Sequence, residues 1–93
     1  AGGPFISPSQ RQEIASHHVN LALAYSGQGN PDAAIEQLET AFRIHDQSPD
    51  ARAIAGDLLA RQNRPKEAIP HFQRALKLRP DWPQVQQQLA QLQ

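Results

Sequence analysis

The chain reads as an all-α protein, a right-handed α-solenoid built from copies of one helix-turn-helix hairpin, and three observations predict it. Residues return at a spacing of 34: Ala34, Ile35 and Ala41 recur as Ala68, Ile69 and Ala75, Pro31 as Pro65, Pro49 as Pro83, and Ala22 as Gly56 and then Ala90. A period in that range marks stacked helical units that cannot bury their apolar faces alone. Five of the eight prolines stand where a helix would begin, a position that tolerates proline because the missing N–H would be unpaired and φ is already helical. No period-two apolar alternation competes with the helical pattern.

Each helix has its own start signal. Ser7-Pro8 opens the first, with Ser7 and Gln10 at the spacing of a capping box, and the stripe Ile14, Ala15, His18, Leu21, Ala22 and Tyr25 is expected to face inward until about Ser26. Gly27-Gln28-Gly29-Asn30 is a turn, with Asn30 as N-cap and Pro31 as first residue of the second helix. Its inner stripe is Ala34, Ile35, Leu38, Ala41 and Phe42, continued by His45. Ser48-Pro49 opens the third, with Ile54, Ala55, Leu58 and Leu59 inward, and Gln62-Asn63-Arg64 ends it. Pro65 opens the fourth, with Ala68, Ile69, Phe72, Ala75, Leu76 and Leu78 inward; Pro70 inside it is expected to disturb the first turn or kink the helix. Asp81-Trp82-Pro83 opens a Gln-rich fifth helix with Val85, Leu89, Ala90 and Leu92 inward.

Small residues set the spacing of these helices. Ala22 and Gly56 fall where the first helix of a hairpin faces the second, opposite Ala34, Ala41, Ala68 and Ala75. Such contacts allow helix axes to approach toward the short end of the usual spacing of about 8–10 Å. Leu38 and Phe72 are the bulky wedges.

Ninety-three residues make one small domain with a thin core. No apolar run reaches the roughly 20 residues of a membrane span, which predicts a soluble protein without a membrane partner. The absence of cysteine excludes disulfides and thiolate metal sites but does not fix the compartment. Ala1-Gly2-Gly3-Pro4 lacks a basic or apolar targeting pattern and reads as a processed terminus, an expression scar or an internal cut, so residues 1–7 are taken as a flexible lead and 8–93 as the domain. Net charge is zero, which argues against nucleic acid or anionic membrane as partner. Residues 1–48 nevertheless carry −3 and residues 49–93 carry +3. Ordinary solvated helix faces account for that split, and so does head-to-tail association, which salt would weaken.

The periodic residues resemble the tetratricopeptide repeat pattern, in which a Leu-Gly or Leu-Ala pair is followed by Tyr, then Ala, Phe and Ala on the second helix, and a closing Pro. Residues 49–82 supply Gly56, Ala68, Phe72, Ala75 and Pro80; residues 15–48 supply Leu21-Ala22, Tyr25, Ala34 and Ala41; Leu89-Ala90 begins a third copy that stops after one helix, making 83–93 a capping helix. Departures are Leu38 for Phe, Asp46 for the closing Pro, Leu59 for Tyr, His18 for Trp, and the interior Pro70.

The resemblance implies a concave groove, lined by the first helix of each repeat, that takes a peptide segment of a protein partner. On this chain the groove would display Ser16, Val19, Asn20, Leu23 and Ser26, then Asp50, Ala53, Ile54, Asp57, Ala60 and Arg61, then Gln84, Gln87, Gln88 and Gln91. The family's clamp for a C-terminal carboxylate uses Lys, Asn and Arg; Val19 and Leu23 occupy the places of its Lys and Asn, which argues against a chaperone-tail ligand. A mixed apolar and amide groove suits an extended or helical segment with a few apolar anchors. Val19, Leu23 and Ile54 are equally explained by packing against a neighbouring layer.

No catalytic, metal or cofactor site is expected. His17 and His18 point about 100° apart on a helix, and no second ligand stands four residues from either. His45 ends a helix, where an imidazole suits the dipole, and His71 lies beside Phe72. Ser7 and Ser48 are caps rather than nucleophiles, and the glycines form no phosphate-cradling motif. The ends of the stack raise a second role. Gln86 to Gln88, Gln91 and Gln93 make the last helix polar, whereas Phe5, Ile6 and Ile14 precede the first repeat and either fold over it or meet another copy, giving a homo-oligomer. A third possibility is an adaptor piece of a larger enzyme or assembly factor.

Overall fold

The computed structural model describes residues 5–93, and Ala1 to Pro4 of the expected lead lie outside them. Among the described residues there are five helices and no strand: α1 (Pro8–Gly27), α2 (Pro31–Ile44), α3 (Pro49–Arg61), α4 (Pro65–Leu78) and α5 (Pro83–Leu92). Every helix has proline in its first turn, as the sequence predicts. Two compact units result, Ala1–Asp46 with the hairpin α1–α2, and Gln47–Gln93 with the hairpin α3–α4 and α5 packed on α4.

The helix starts follow local chemistry. Ser7 and Gln10 complete the capping box: the Gln10 N–H donates to Ser7 Oγ at 3.2 Å and the Ser7 N–H to Gln10 Oε1 at 2.8 Å. Asn30 Oδ1 accepts from the Ala33 N–H at 3.4 Å, and Ser48 Oγ from the Ala51 N–H at 3.2 Å. Arg64 stands at the place of Asn30 in the second hairpin and caps nothing. Its guanidinium instead reaches Glu67 Oε1, at 3.1 Å, in the first turn of α4.

Each hairpin turns at a left-handed residue, Gly29 at φ +78° and, 34 positions on, Asn63 at φ +60°. Asparagine is among the few non-glycine residues that visit this region. A Cβ at Gly29 would meet nothing within 4 Å, so the cost of a side chain there is one of backbone alone. Gly29→Ala is therefore expected to lower stability by about 1–2 kcal/mol, and Gly29→Asn by less, as measured by urea unfolding.

Inside each hairpin the helices meet through small residues. Ala15, Ala22, Ala34 and Ala41 are buried with Ile35 and Leu38 in unit 1, and Ala55, Gly56, Ala68 and Ala75 with Leu58, Leu59 and Phe72 in unit 2. A polar pair joins the two helices at equivalent positions in both. His18 Nδ1 lies 2.7 Å from Gln37 Oε1, and Arg52 Nη1 lies 3.0 Å from His71 Nδ1. These bonds give two of the four histidines, His18 and His71, partners between the two helices of their own hairpin.

Two expectations are corrected. Ile14 and Leu21 are exposed instead of facing inward, because α2 is the only other helix of unit 1 and it covers the side of α1 that carries Ala15 and Ala22. Ala90 is exposed too: its counterparts Ala22 and Gly56 each face the second helix of a hairpin, whereas α5 packs on α4 through the side that buries Val85. Pro70 lies inside α4, which spans Pro65 to Leu78, and is itself exposed.

Candidate functional site

The expected binding face falls into two parts, one on each unit. Ser16, Val19, Asn20 and Leu23 are spaced to share one side of α1, and Ser26 continues it. Ser16, Asn20 and Leu23 are exposed; Val19 and Ser26 are half-buried. The Ser16 hydroxyl donates to the Gln12 carbonyl at 2.9 Å, so its oxygen remains able to accept. A shallow depression on this side is lined by Ser9, Gln12, Glu13, Ser16, His17 and Asn20. Ser9, Gln12, Glu13 and His17 were not among the expected site residues. The signal for the first three was present in the sequence, since the capping box at Ser7 starts α1 two turns ahead of the repeat.

In unit 2, Asp50 and Arg61 are exposed, while Ala53, Ile54, Asp57 and Ala60 are half-buried along α3. On α5, Gln84, Gln87 and Gln91 are exposed and Gln88 is half-buried; these four glutamines line a second shallow depression. The fold brings α3 and α5 together at one point of this face. Gln88 Nε2 donates to Asp57 Oδ1 at 3.3 Å, and Asp57 Oδ2 lies 3.1 Å from Arg61 Nη2. Both carboxylate oxygens of Asp57 are thereby engaged from within the chain. The turn leading into α5 is held by the Gln86 amide donating to the Pro80 carbonyl at 2.8 Å and by the Arg79 guanidinium 4.5 Å above the Trp82 ring.

These side chains offer hydroxyl and amide groups around two apolar side chains, Leu23 in unit 1 and Ile54 in unit 2. That inventory can hydrogen-bond a peptide backbone and seat an apolar side chain. Among the described residues no three His, Asp or Glu side chains converge in the manner of a metal site, and no helix is long and apolar enough to cross a membrane.

The family model described as Tetratricopeptide repeat matches residues 19–83, which takes in both hairpins. The chain belongs to the tetratricopeptide repeat family. Its repeats are of the kind that generally serve as protein-interaction modules and are typically not catalytic. The matched stretch begins inside α1 and ends where α5 starts. No curated protein matches the chain.

Proposed function

We propose that this tetratricopeptide repeat protein is a scaffold or adaptor that holds a segment of a partner protein against the first helices of its repeats, α1 in unit 1 and α3 with α5 in unit 2. The observation that carries this reading is Leu23, a large aliphatic side chain left half in solvent on a side of α1 that otherwise displays Ser16 and Asn20. An exposed apolar anchor inside a rim of hydrogen-bonding groups is the arrangement that peptide-binding faces use, with the apolar side chain giving affinity and the polar groups fixing the backbone. No Lys or Arg of α1 stands beside Val19, Asn20 and Leu23 on that side to receive a carboxylate. The segment is therefore one recognised by its interior residues and not by an acidic C-terminus.

Peptides selected from a displayed random library against the wild-type protein supply the probe. Leu23→Lys and Ile54→Lys, each shown to melt at the wild-type temperature, are expected to weaken the selected peptides at least tenfold in calorimetric titration, about 1.4 kcal/mol. A peptide bound with equal affinity by wild type and both variants places the binding site elsewhere.

A further inference from the structure

The large apolar side chains that stand exposed among the described residues are gathered at one end of the chain: Phe5 (87%), Ile6 (46%), Ile14 (37%), Leu21 (47%) and Leu23 (50%). Ile14 and Leu21 are seven residues apart, close to two helical turns, and share a side of α1 with His17 and Ala24, both exposed. Leu23 is turned roughly 200° from Leu21 and belongs to the peptide-binding side. The repeat period shows what the Leu21 side is built for. The counterparts of His17, Leu21 and Ala24 on α3 are Ala51, Ala55 and Leu58, all buried; on α5 they are Val85, Leu89 and Leu92, buried or half-buried, in a helix that packs on α4. The same side is buried on α3 and exposed on α1.

We propose that this side of α1 joins two copies of the chain, the helices packed antiparallel about a two-fold axis near His17 and His18, so that Ile14 faces Leu21 of the partner subunit. A second copy has just this apolar helix stripe to offer, because the described parts of α2 to α5 expose no large apolar side chain, and a two-fold contact requires a patch that complements itself. The charges agree with that occupant. Over its 20 residues α1 carries one cation, Arg11, and one anion, Glu13, so two copies meet without net repulsion. By contrast, α2 has Asp32, Glu36 and Glu39 against Arg43, and α4 has Lys66, Arg74 and Lys77 against Glu67; either would repel its own copy. The early start of α1 under its Ser7 and Gln10 capping box adds the turns that carry Ile14 and so lengthens the stripe. One pair of helices about 30 Å long buries less than the roughly 1,200 Å² of durable interfaces, so the dimer is weak, with a Kd on the order of 100 µM.

Sedimentation velocity of the full chain from about 10 µM to about 1 mM brackets that constant. The dimer fraction is expected to rise with concentration and to persist in high salt, since burial of apolar surface is not screened. Leu21→Glu and Leu21→Ser are each expected to raise Kd at least tenfold at unchanged melting temperature, and Leu23→Lys to leave it alone; this last variant separates the dimer contact from the peptide-binding side. A wild-type chain that stays monomeric at the highest concentration overturns the proposal and leaves the stripe to a foreign helix or to solvent. So does a dimer indifferent to both Leu21 variants. A dimer that salt dissolves also overturns it, in favour of attraction between the acidic and basic units.

Discussion

Phe72→Ala is expected to lower the unfolding free energy by about 3–5 kcal/mol, read as a shift of the urea midpoint at unchanged slope. The ring is fully buried and is the largest side chain in that condition among the described residues. Its truncation removes transfer energy and leaves a cavity that the neighbouring alanines are too short to fill. Marginal stability makes the loss severe, because a small domain holds only about 5–15 kcal/mol in total.

The same ring explains a glycine inside α3. A Cβ built on Gly56 would lie 2.8 Å from Phe72 Cε1 and 2.9 Å from Cδ1 and Cζ, closer than real Cβ contacts allow. Buried as it is, the ring has nowhere to swing. Gly56→Ala is therefore expected to be unfavourable at this contact by about 1–3 kcal/mol, against a gain of about 1 kcal/mol from alanine's helix propensity. Thirty-four residues earlier the same two positions hold Ala22 and Leu38, both fully buried. The repeats fill one contact in two ways, as Gly with Phe and as Ala with Leu. In a Phe72→Leu background Gly56→Ala is accordingly expected to become stabilising by about 1 kcal/mol. A double-mutant cycle measures the coupling directly, and zero coupling would show that Gly56 is not there for the ring.

The second large effect is a gain. Pro70→Ala is expected to raise stability by about 2 kcal/mol, which for a domain of this size lifts Tm by roughly 8–16 °C in a calorimetric scan. Pro70 stands six residues into α4, past the first turn, so it removes the donor that the Lys66 carbonyl would otherwise receive. An interior proline costs a helix about 3 kcal/mol relative to alanine. Part of that is returned because proline also restricts the unfolded chain, by about 0.4–1 kcal/mol. Glu36 occupies the equivalent exposed position of α2. The cost of Pro70 is thus specific to the second repeat, and nothing in the packing of unit 2 requires it. A Tm unchanged or lowered by the substitution would mean that α4 has accommodated the ring fully.

The residues of the proposed binding face were chosen from the sequence. The resemblance singled out Ser16, Asn20 and Leu23, and their spacing puts them on one side of α1. The bond from Gln88 to Asp57 was not legible, because it joins residues 31 apart through the packing of α5 on unit 2. The start of α1 at Ser7 was legible from its capping box, and the depression beside Ser9, Gln12 and Glu13 follows from how far α1 projects ahead of the repeat.

Local chemistry written in the sequence determined where the helices begin, turn and stop: prolines with a preset φ, caps with an oxygen in reach, and left-handed residues at Gly29 and Asn63. These are decided within a few residues of chain, so reading along the chain finds them. Period alone also identified the small and bulky positions of each hairpin. Which stripe positions are actually buried was decided only in three dimensions. Ile14, Leu21 and Ala90 satisfy the same periodicity as Ala55 and Val85, yet stand in solvent. Burial is a property of having a neighbour, and a repeat pattern states which side a helix offers without stating whether another helix is there to take it.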